Sequence, residues 1–224
     1  MINKVELIDC MEYMRGVPDN AFELAIVDPP YGIGEDASHN NTGDRPTIKW
    51  QNPNSQKYKT FEDSTPPDEL YFKELFRVSQ HQIIWGGNYF DLPISSGWIV
   101  WDKKADIKEH LSMCELAWSS FSIKCNKFEY LWAGFKKAKQ ITRIHPTQKP
   151  VALYKWLLKN YAKPGDKILD THIGSGSIRI ACHDMGYDLT GCELDPDYWQ
   201  AQEERYQRHI QQGSLFEFEG GEVK

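Results

Sequence analysis

The sequence predicts an α/β protein built on a mainly parallel sheet with helices on both faces. Short apolar runs recur along the chain and are separated by stretches with helical apolar spacing, which is the alternation that winds such a sheet. Two of the runs end in unusual turns, Asp28-Pro29-Pro30-Tyr31 and Asp170-Thr171-His172-Ile173-Gly174-Ser175-Gly176. In open α/β sheets the C-terminal strand edge, where both turns fall, is where ligands bind.

The elements follow in order. Lys4 to Asp9 reads as a strand and Met11 to Arg15 as a short helix. Val17-Pro18-Asp19-Asn20 is a turn, and the apolar run Leu24 to Val27 is a buried strand. From about 32 to 67 the chain is polar, with isolated Trp50, Tyr58 and Phe61; a loop this long inside a compact domain is usually functional or disordered. Pro67 to Val78 resembles a helix with proline near its start. Strands are expected at Gln82–Trp85, Gly97–Trp101, Glu115–Phe121 and Phe128–Trp132, with lysine-bearing loops between them. Pro150 to Tyr161 carries helical apolar spacing. The strand Lys167–Asp170, the helix Ser175–Met185, the strand Asp188–Leu194 and a polar helix from Pro196 to about Gln211 complete the series. The acidic, glycine-containing segment from Gly213 is expected to be poorly ordered.

At 224 residues the chain suits one domain with one sizeable core, taken as 1–224. No stretch approaches the ~20 apolar residues of a membrane span, and no signal-peptide pattern opens the sequence. Five scattered cysteines without a Cys-x-x-Cys pair argue for a reducing compartment and against a zinc site. No metal-ligand spacing is recognisable, so no metal is expected. The net charge of −6 conceals polarity. Between Lys103 and Lys149 ten basic side chains oppose four acidic ones, whereas from Asp184 onward ten acids oppose three bases. Such a chain can hold a polyanion on one face, although a solvated lysine-rich surface explains the pattern equally well.

The tetrad is the most informative feature. Its prolines stiffen the turn and remove two backbone donors. They fix Asp28, the nearby carbonyl oxygens and the Tyr31 ring at the strand end. That arrangement suits a flat molecule with an exocyclic amino group: two acceptors for its hydrogens and one ring to stack on it. The competing reading is a strand-terminating turn.

The second turn is glycine-rich and opens a helix, where free amides and partial positive charge collect. Glu193, ending the next strand, is placed to bind ribose hydroxyls. A third glycine of the dinucleotide fingerprint is absent, because Arg179 stands beyond Gly174-x-Gly176. Asp170 sits where it could take a cationic group, which favours an ammonium-bearing nucleoside over a pyrophosphate; another nucleotide and a structural turn stay open. Between the two turns lies His145-Pro146-Thr147-Gln148-Lys149-Pro150, with Thr147 available as a cap. On physics alone an ordinary helix start explains this segment as well as a site does.

Taken together and in this order, the tetrad, the His145–Pro150 segment and the glycine turn resemble the DNA amino methyltransferases of the β group, in which the catalytic half precedes the cofactor half. The resemblance runs from about Val5 to about Gln202. It implies a three-layer, Rossmann-like, circularly permuted fold for an S-adenosylmethionine-dependent methyltransferase, on a mostly parallel seven-stranded sheet. The N-terminal strand would then lie beside the strand ending at Glu193. It implies catalytic roles for Asp28, Pro29, Pro30 and Tyr31. It places the donor on Asp9, Cys10, Asp28, His145, Asp170, His172, Gly174, Ser175, Gly176, Glu193 and Leu194, with Thr147 and Lys149 closing its methionyl end. Thr171-His172 departs from the Pro-Phe frequent in the family, so His172 is read as a pocket wall rather than a base.

The implied substrate is a base flipped out of double-stranded DNA. Adenine N6 is favoured over cytosine N4 by the aspartate of the tetrad. Lys103, Lys104, Lys136, Lys137 and Lys139 are the expected phosphate contacts, and the segments 32–67 and 103–149 are the expected recognition regions. A homodimer and a companion restriction endonuclease are compatible with the family. Two rivals are a catalytically silent nucleic-acid-binding module of the same fold and a methyltransferase acting on RNA, protein or a metabolite.

Overall fold

The computed structural model describes residues 2–33, 65–104, 112–122, 124–133, 136–137 and 143–219, with 136–137 and 213–219 described by backbone alone. The strands are β1 (Asn3–Leu7), β2 (Phe22–Val27), β3 (Ser79–Trp85), β4 (Gly97–Asp102), β5 (Cys114–Ser119), β6 (Asn126–Glu129), β7 (Trp132–Ala133), β8 (Lys136–Lys137), β9 (Lys167–Asp170) and β10 (Asp188–Glu193). The helices are α1 (Cys10–Arg15), α2 (Glu69–Val78), α3 (Val151–Tyr161), α4 (Ser177–Met185) and α5 (Pro196–Glu219).

Eight strands, rather than the expected seven, form the main sheet in the order β1-β10-β9-β2-β3-β5-β4-β6, and β7 pairs with β8 separately. The half from β1 to β3 is wholly parallel. β5 runs antiparallel to both β3 and β4, and β6 joins β4 in parallel. The run expected as one strand, Phe128–Trp132, is divided between β6 and β7.

Alternation along the central strands sends side chains into two cores, one on each face. Leu24 and Ile26 of β2, Ile83 and Trp85 of β3 and Ile168 of β9 pack with Leu153 and Leu157 of α3 and Ile178 of α4. Ala25 and Val27, Ile84 and Leu169 pack on the opposite face with Met14 of α1 and Tyr71, Phe72 and Leu75 of α2. Both faces of β2, β3 and β9 are thus buried, which is why these strands read as continuous apolar runs. At roughly 1.5–3 kcal/mol for each fully buried large apolar side chain, the central strands anchor the site at their ends.

The helix boundaries follow their caps. Asp9 Oδ1 accepts the Met11 and Glu12 amides at 2.9 and 3.0 Å, so α1 begins at Cys10. Asp68 Oδ1 accepts the Tyr71 amide at 3.0 Å, which sets the start of α2 one residue beyond Asp68 rather than at Pro67. Thr147 does not cap α3. The cap position is Pro150, without a side-chain bond. α5 continues past Gln211 to Glu219, so the expected disorder from Gly213 gives way to helix over 213–219. Its first turns return to the start of the chain, where Trp199 Nε1 donates to the Val5 carbonyl at 3.1 Å. The polar segment expected at 32–67 lies mostly outside the described residues.

Candidate active site

Four parallel strands end side by side: β1 at Leu7, β10 at Glu193, β9 at Asp170 and β2 at Val27. From β9 the chain steps through α4 to β10 on one side. From β2 it steps through α2 to β3 on the other. The crevice between Asp170 and Asp28 is therefore the topological switch point of the sheet.

On the β2 side, Asp28 Oδ1 accepts the Tyr31 hydroxyl at 2.6 Å, and Asp28 Oδ2 contacts the Lys149 ammonium. Burial raises the Asp28 carboxyl above its ordinary range, against the pull of Lys149. The Tyr31 ring stacks on Tyr89 (centroids 5.1 Å apart, 18° between planes) and meets Phe90 edge-on at 6.2 Å. Gly86 (φ +68°) makes room for that ring, since a Cβ there would lie 2.2 Å from Tyr31 Cε1.

Lys149 is 3% exposed and also faces Glu115 Oε2 at 3.2 Å. Glu115 in turn pairs through Oε1 with Lys103 Nζ at 2.7 Å. Glu115 is a site residue that sequence reading missed. Antiparallel β5 starts at the same sheet edge where β3 and β4 finish, with Trp85 opposite Ala117 and Trp101 opposite Glu115. Burial pushes the Glu115 carboxyl up, but Lys149 and Lys103 outweigh it and hold the group below its usual range.

The His145–Pro150 segment is fixed from two sides. Ser177 Oγ donates to the Lys149 carbonyl at 2.7 Å and Trp132 Nε1 to the Gln148 carbonyl at 3.0 Å. Thr147 is exposed, and its hydroxyl lies 3.0 Å from His145 Nδ1. The His145 ring meets Tyr198 edge-on at 4.3 Å. Burial, then Lys149, lower its pKa to about 4, so it is neutral at pH 7.

On the β9–β10 side, Glu193 organises the glycine turn. Its Oε2 accepts the Gly174 amide at 2.9 Å, and its Oε1 accepts the Leu194 and Asp195 amides at 3.0 Å each. Gly174 (φ +48°) opens toward the His145 ring, 3.7 Å from where its Cβ would stand. The Ser175 carbonyl accepts a hydrogen bond from Arg205 Nη1 at 2.6 Å, and Gly176 (φ +68°) lies against Gln202. Asp170 is 2% exposed and accepts the His172 amide at 3.0 Å. Burial outweighs that bond and raises its pKa to about 8, with Asp28 and Glu193 adding repulsion.

His172 lies in a chain of contacts. Its Nδ1 is 2.9 Å from Thr171 Oγ1, which is 2.7 Å from the Tyr71 hydroxyl. Its pKa falls to about 4 through burial, so the ring is neutral at pH 7. Asp9 is exposed and occupied as the α1 cap, and the Leu194 side chain is 70% exposed. Burial, then Asp9, push the Cys10 thiol up to about 12.

The basic segment is more internally neutralised than its composition suggests. Lys103 pairs with Glu115 and lies 5.4 Å over the Trp101 ring. Lys104 and Lys127 both pair with Glu129. For Lys136 and Lys137 the backbone of β8 is described, and Lys139 lies outside the described residues.

A family profile described as DNA methylase, of the N6/N4 class, matches residues 45–204, more than half of the chain. The chain belongs to the N6/N4 DNA methylase family. The match begins beyond the tetrad, so the tetrad adds evidence independent of it. YubD of Escherichia coli (strain K12), which carries the name of a methylase, is 27% identical over 225 residues, covering 92% of each chain. The Type II methyltransferase M.HinfI of Haemophilus influenzae is 22% identical over 247 residues, covering 91% of this chain and 68% of M.HinfI. Among solved structures, the M1.HpyAVI–SAM complex superposes with a TM-score of 0.55 at 16% identity, covering 92% of this chain and 100% of that one. The cytosine-N4-specific PvuII DNA methyltransferase gives a TM-score of 0.58 at 10% identity, covering 92% and 86%. At these identities the structural likeness is one of fold, a mixed, mostly parallel α/β sheet shared with DNA methyltransferases.

Proposed function

We propose that this chain is a site-specific DNA adenine-N6 methyltransferase that uses S-adenosylmethionine and acts on a base flipped out of the duplex. The observation that carries the proposal is the placement of Asp28 and Tyr31 directly across the switch-point crevice from Asp170 and the glycine turn. An amine-binding group and a nucleoside-binding turn thereby share one cleft. The family match and the Type II methyltransferase relative support a DNA substrate.

The residues present fit the donor. Asp170 is a buried carboxyl that burial holds largely protonated, and a ligand ammonium beside it would favour its ionised form. Gly174 presents bare backbone beside a neutral His145 ring, and Glu193 offers carboxylate oxygens at the end of β10. Asp170, Gly174, Ser175, Gly176, Glu193 and His145 would hold it. Bound S-adenosylmethionine supplies an electrophilic methyl group on a sulfonium centre.

The chain's own residues act on the amine. The exocyclic nitrogen of adenine is a poor nucleophile because its lone pair is delocalised into the ring. Asp28 and the Pro29 carbonyl each accept an N–H, which draws the nitrogen toward pyramidal geometry and frees the lone pair. As the nitrogen–methyl bond forms and the methyl–sulfur bond breaks, Asp28 stabilises the positive charge that develops on nitrogen until the surplus amine proton is lost to solvent; positioning and preorganised charge do most of the work. Tyr31 offers a stacking face for the flipped base. The aspartate of the tetrad favours adenine over cytosine as the target.

The test is incubation with methyl-labelled donor and unmodified DNA, RNA or neither, followed by mass analysis of the nucleosides. N6-methyladenine in DNA is expected. N4-methylcytosine would transfer the assignment to the other base of the family, and labelled RNA would overturn the DNA assignment. Label in no acceptor would favour a silent binding module.

A further inference from the structure

Asp28 faces a problem that the tetrad alone does not solve. To stabilise the positive charge that develops on the amine it must be ionised, yet it lies where burial favours its protonated form. The charges around it are arranged in a buried row: Asp28, Lys149, Glu115, Lys103, alternating in sign and summing to zero. The Lys149 ammonium reaches Asp28 Oδ2, Glu115 Oε2 at 3.2 Å and the Tyr31 hydroxyl at 3.4 Å, and it lies 5.4 Å over the Trp85 ring. Its backbone is tied to α4 by Ser177. It therefore has a fixed stem, two carboxylate partners and an almost fully buried side chain.

We propose that Lys149 and Glu115 are positioning residues for Asp28: Lys149 supplies the fixed counter-charge that lets Asp28 serve as an acceptor, and Glu115 anchors the ammonium. This rests on the methyl-transfer reading above. It assigns Lys149 to the aspartate, whereas the family resemblance assigns it to the methionyl end of the donor. Tyr31 holds Oδ1 and Lys149 holds Oδ2, so the carboxylate plane is fixed relative to the crevice. Each oxygen keeps a second lone pair for the substrate.

The groups facing Asp28 set the sign of the pH dependence. Lys149 from the segment before α3 favours its ionised form, and Glu115 from β5 opposes it. Tyr31 donates a hydrogen bond to the carboxylate. Tyr154 of α3 is neutral, its ionisation pushed far up by burial, and Asp170 of β9 and Glu193 of β10 bear on the same crevice. Lys103, after β4, acts through Glu115. Removing Lys149 must therefore move the acid limb of activity to higher pH, and removing the Glu115 charge must move it to lower pH. A merely structural role would give no such opposed pair.

The experiment compares the parent chain with Lys149→Met, Lys149→Arg and Glu115→Gln. It measures methyl transfer to DNA across pH and donor affinity by calorimetry. Lys149→Met is expected to lose on the order of 10² in kcat at neutral pH. Activity should recover toward alkaline pH, with the acid limb displaced upward by about one to three pH units. Lys149→Arg should restore much of the profile. Glu115→Gln, isosteric and able to fold even if Lys149→Met is not, should lower kcat by about tenfold while displacing the limb downward. Donor affinity should hold in all three. An unshifted acid limb in Glu115→Gln, or a loss in the Lys149 variants matched by lost donor affinity, overturns the proposal. A parent chain that methylates nothing overturns the methyl-transfer reading, and the proposal with it.

Discussion

Asp170→Asn isolates the most strained charge in the crevice. Asp170 is buried at the end of β9, accepts one backbone amide and has its pKa raised to about 8. Asparagine keeps the shape and the acceptor for the His172 amide while removing the titration. A carboxyl whose pKa is raised on folding contributes stability that is fully present below its unfolded value and is lost as pH rises through its folded value. Here the window runs from the ordinary value of 3.8 to about 8. At about 1.4 kcal/mol per unit, the parent is penalised by roughly 2 kcal/mol at pH 5 and roughly 5 kcal/mol at pH 8. The difference in unfolding free energy between Asp170→Asn and the parent should thus grow by roughly 3–4 kcal/mol across that interval. Urea denaturation of both proteins at the two pH values measures it, and subtracting parent from variant cancels the titrating groups that do not sense Asp170, while Asp28 and Glu193, which repel it, contribute to the difference. A difference that is the same at both pH values would refute the reasoning, because Asp170 would then titrate normally. The variant should also bind S-adenosylmethionine more weakly, since the counter-charge for the donor ammonium is gone.

Asp28→Ala should abolish methyl transfer with the fold intact; retention of more than about a tenth of the activity, where loss of such an electrostatic group costs ~10² or more, would sink its role. Gly86→Ala forces a side chain into φ +68° and against the Tyr31 ring, so it should cost roughly 1–3 kcal/mol of stability and lower kcat by moving that ring, whereas unchanged activity would detach Tyr31 from the reaction. Glu193→Ala should weaken donor binding by roughly 1.5–3 kcal/mol, the worth of lost charge-assisted hydrogen bonds; unchanged calorimetric affinity would place the donor elsewhere. Changing Lys136 and Lys137 together to alanine should flatten the salt dependence of DNA binding by about 0.9 per lost phosphate contact and leave sequence preference intact, while an unchanged slope would make both lysines plain surface.

The parallel half of the fold was legible because each of its strands is buried on both faces and reads as an apolar run ending in a turn with its own chemistry. Lys167–Asp170 is recovered residue for residue, and Asp188–Leu194 to within one residue. The other half was harder to read. Asn126–Glu129 is a short edge strand with alternating exposure and two charges among four residues, so nothing local separates it from the loop that follows. The extension of α5 also escaped reading. Gly213 disfavours helix, but the residues after it, Ser214 to Glu219, include Leu215, Phe216 and Phe218, which the compositional argument for disorder underweighted.

The site shows the same division between what is local and what is topological. Asp28, Tyr31 and the glycine turn announce themselves because their chemistry is contiguous in sequence. Glu115 does not, because it acquires meaning only when β5 enters antiparallel between β3 and β4, which brings its first residues to the edge where parallel strands finish. Lys103 then stops being one of ten positive charges and becomes the partner of a buried carboxylate. The charge surplus between Lys103 and Lys149 is accordingly two populations. Lys103 and Lys149 balance Glu115 and Asp28 at the sheet edge, and Lys104 and Lys127 answer Glu129. A composition count cannot divide them, since the division depends on which acids the sheet carries inward. A net-charge argument for DNA binding therefore holds only for lysines without an interior carboxylate. Substitution at Lys103 accordingly reports on the row of charges that ends at Asp28 rather than on DNA affinity.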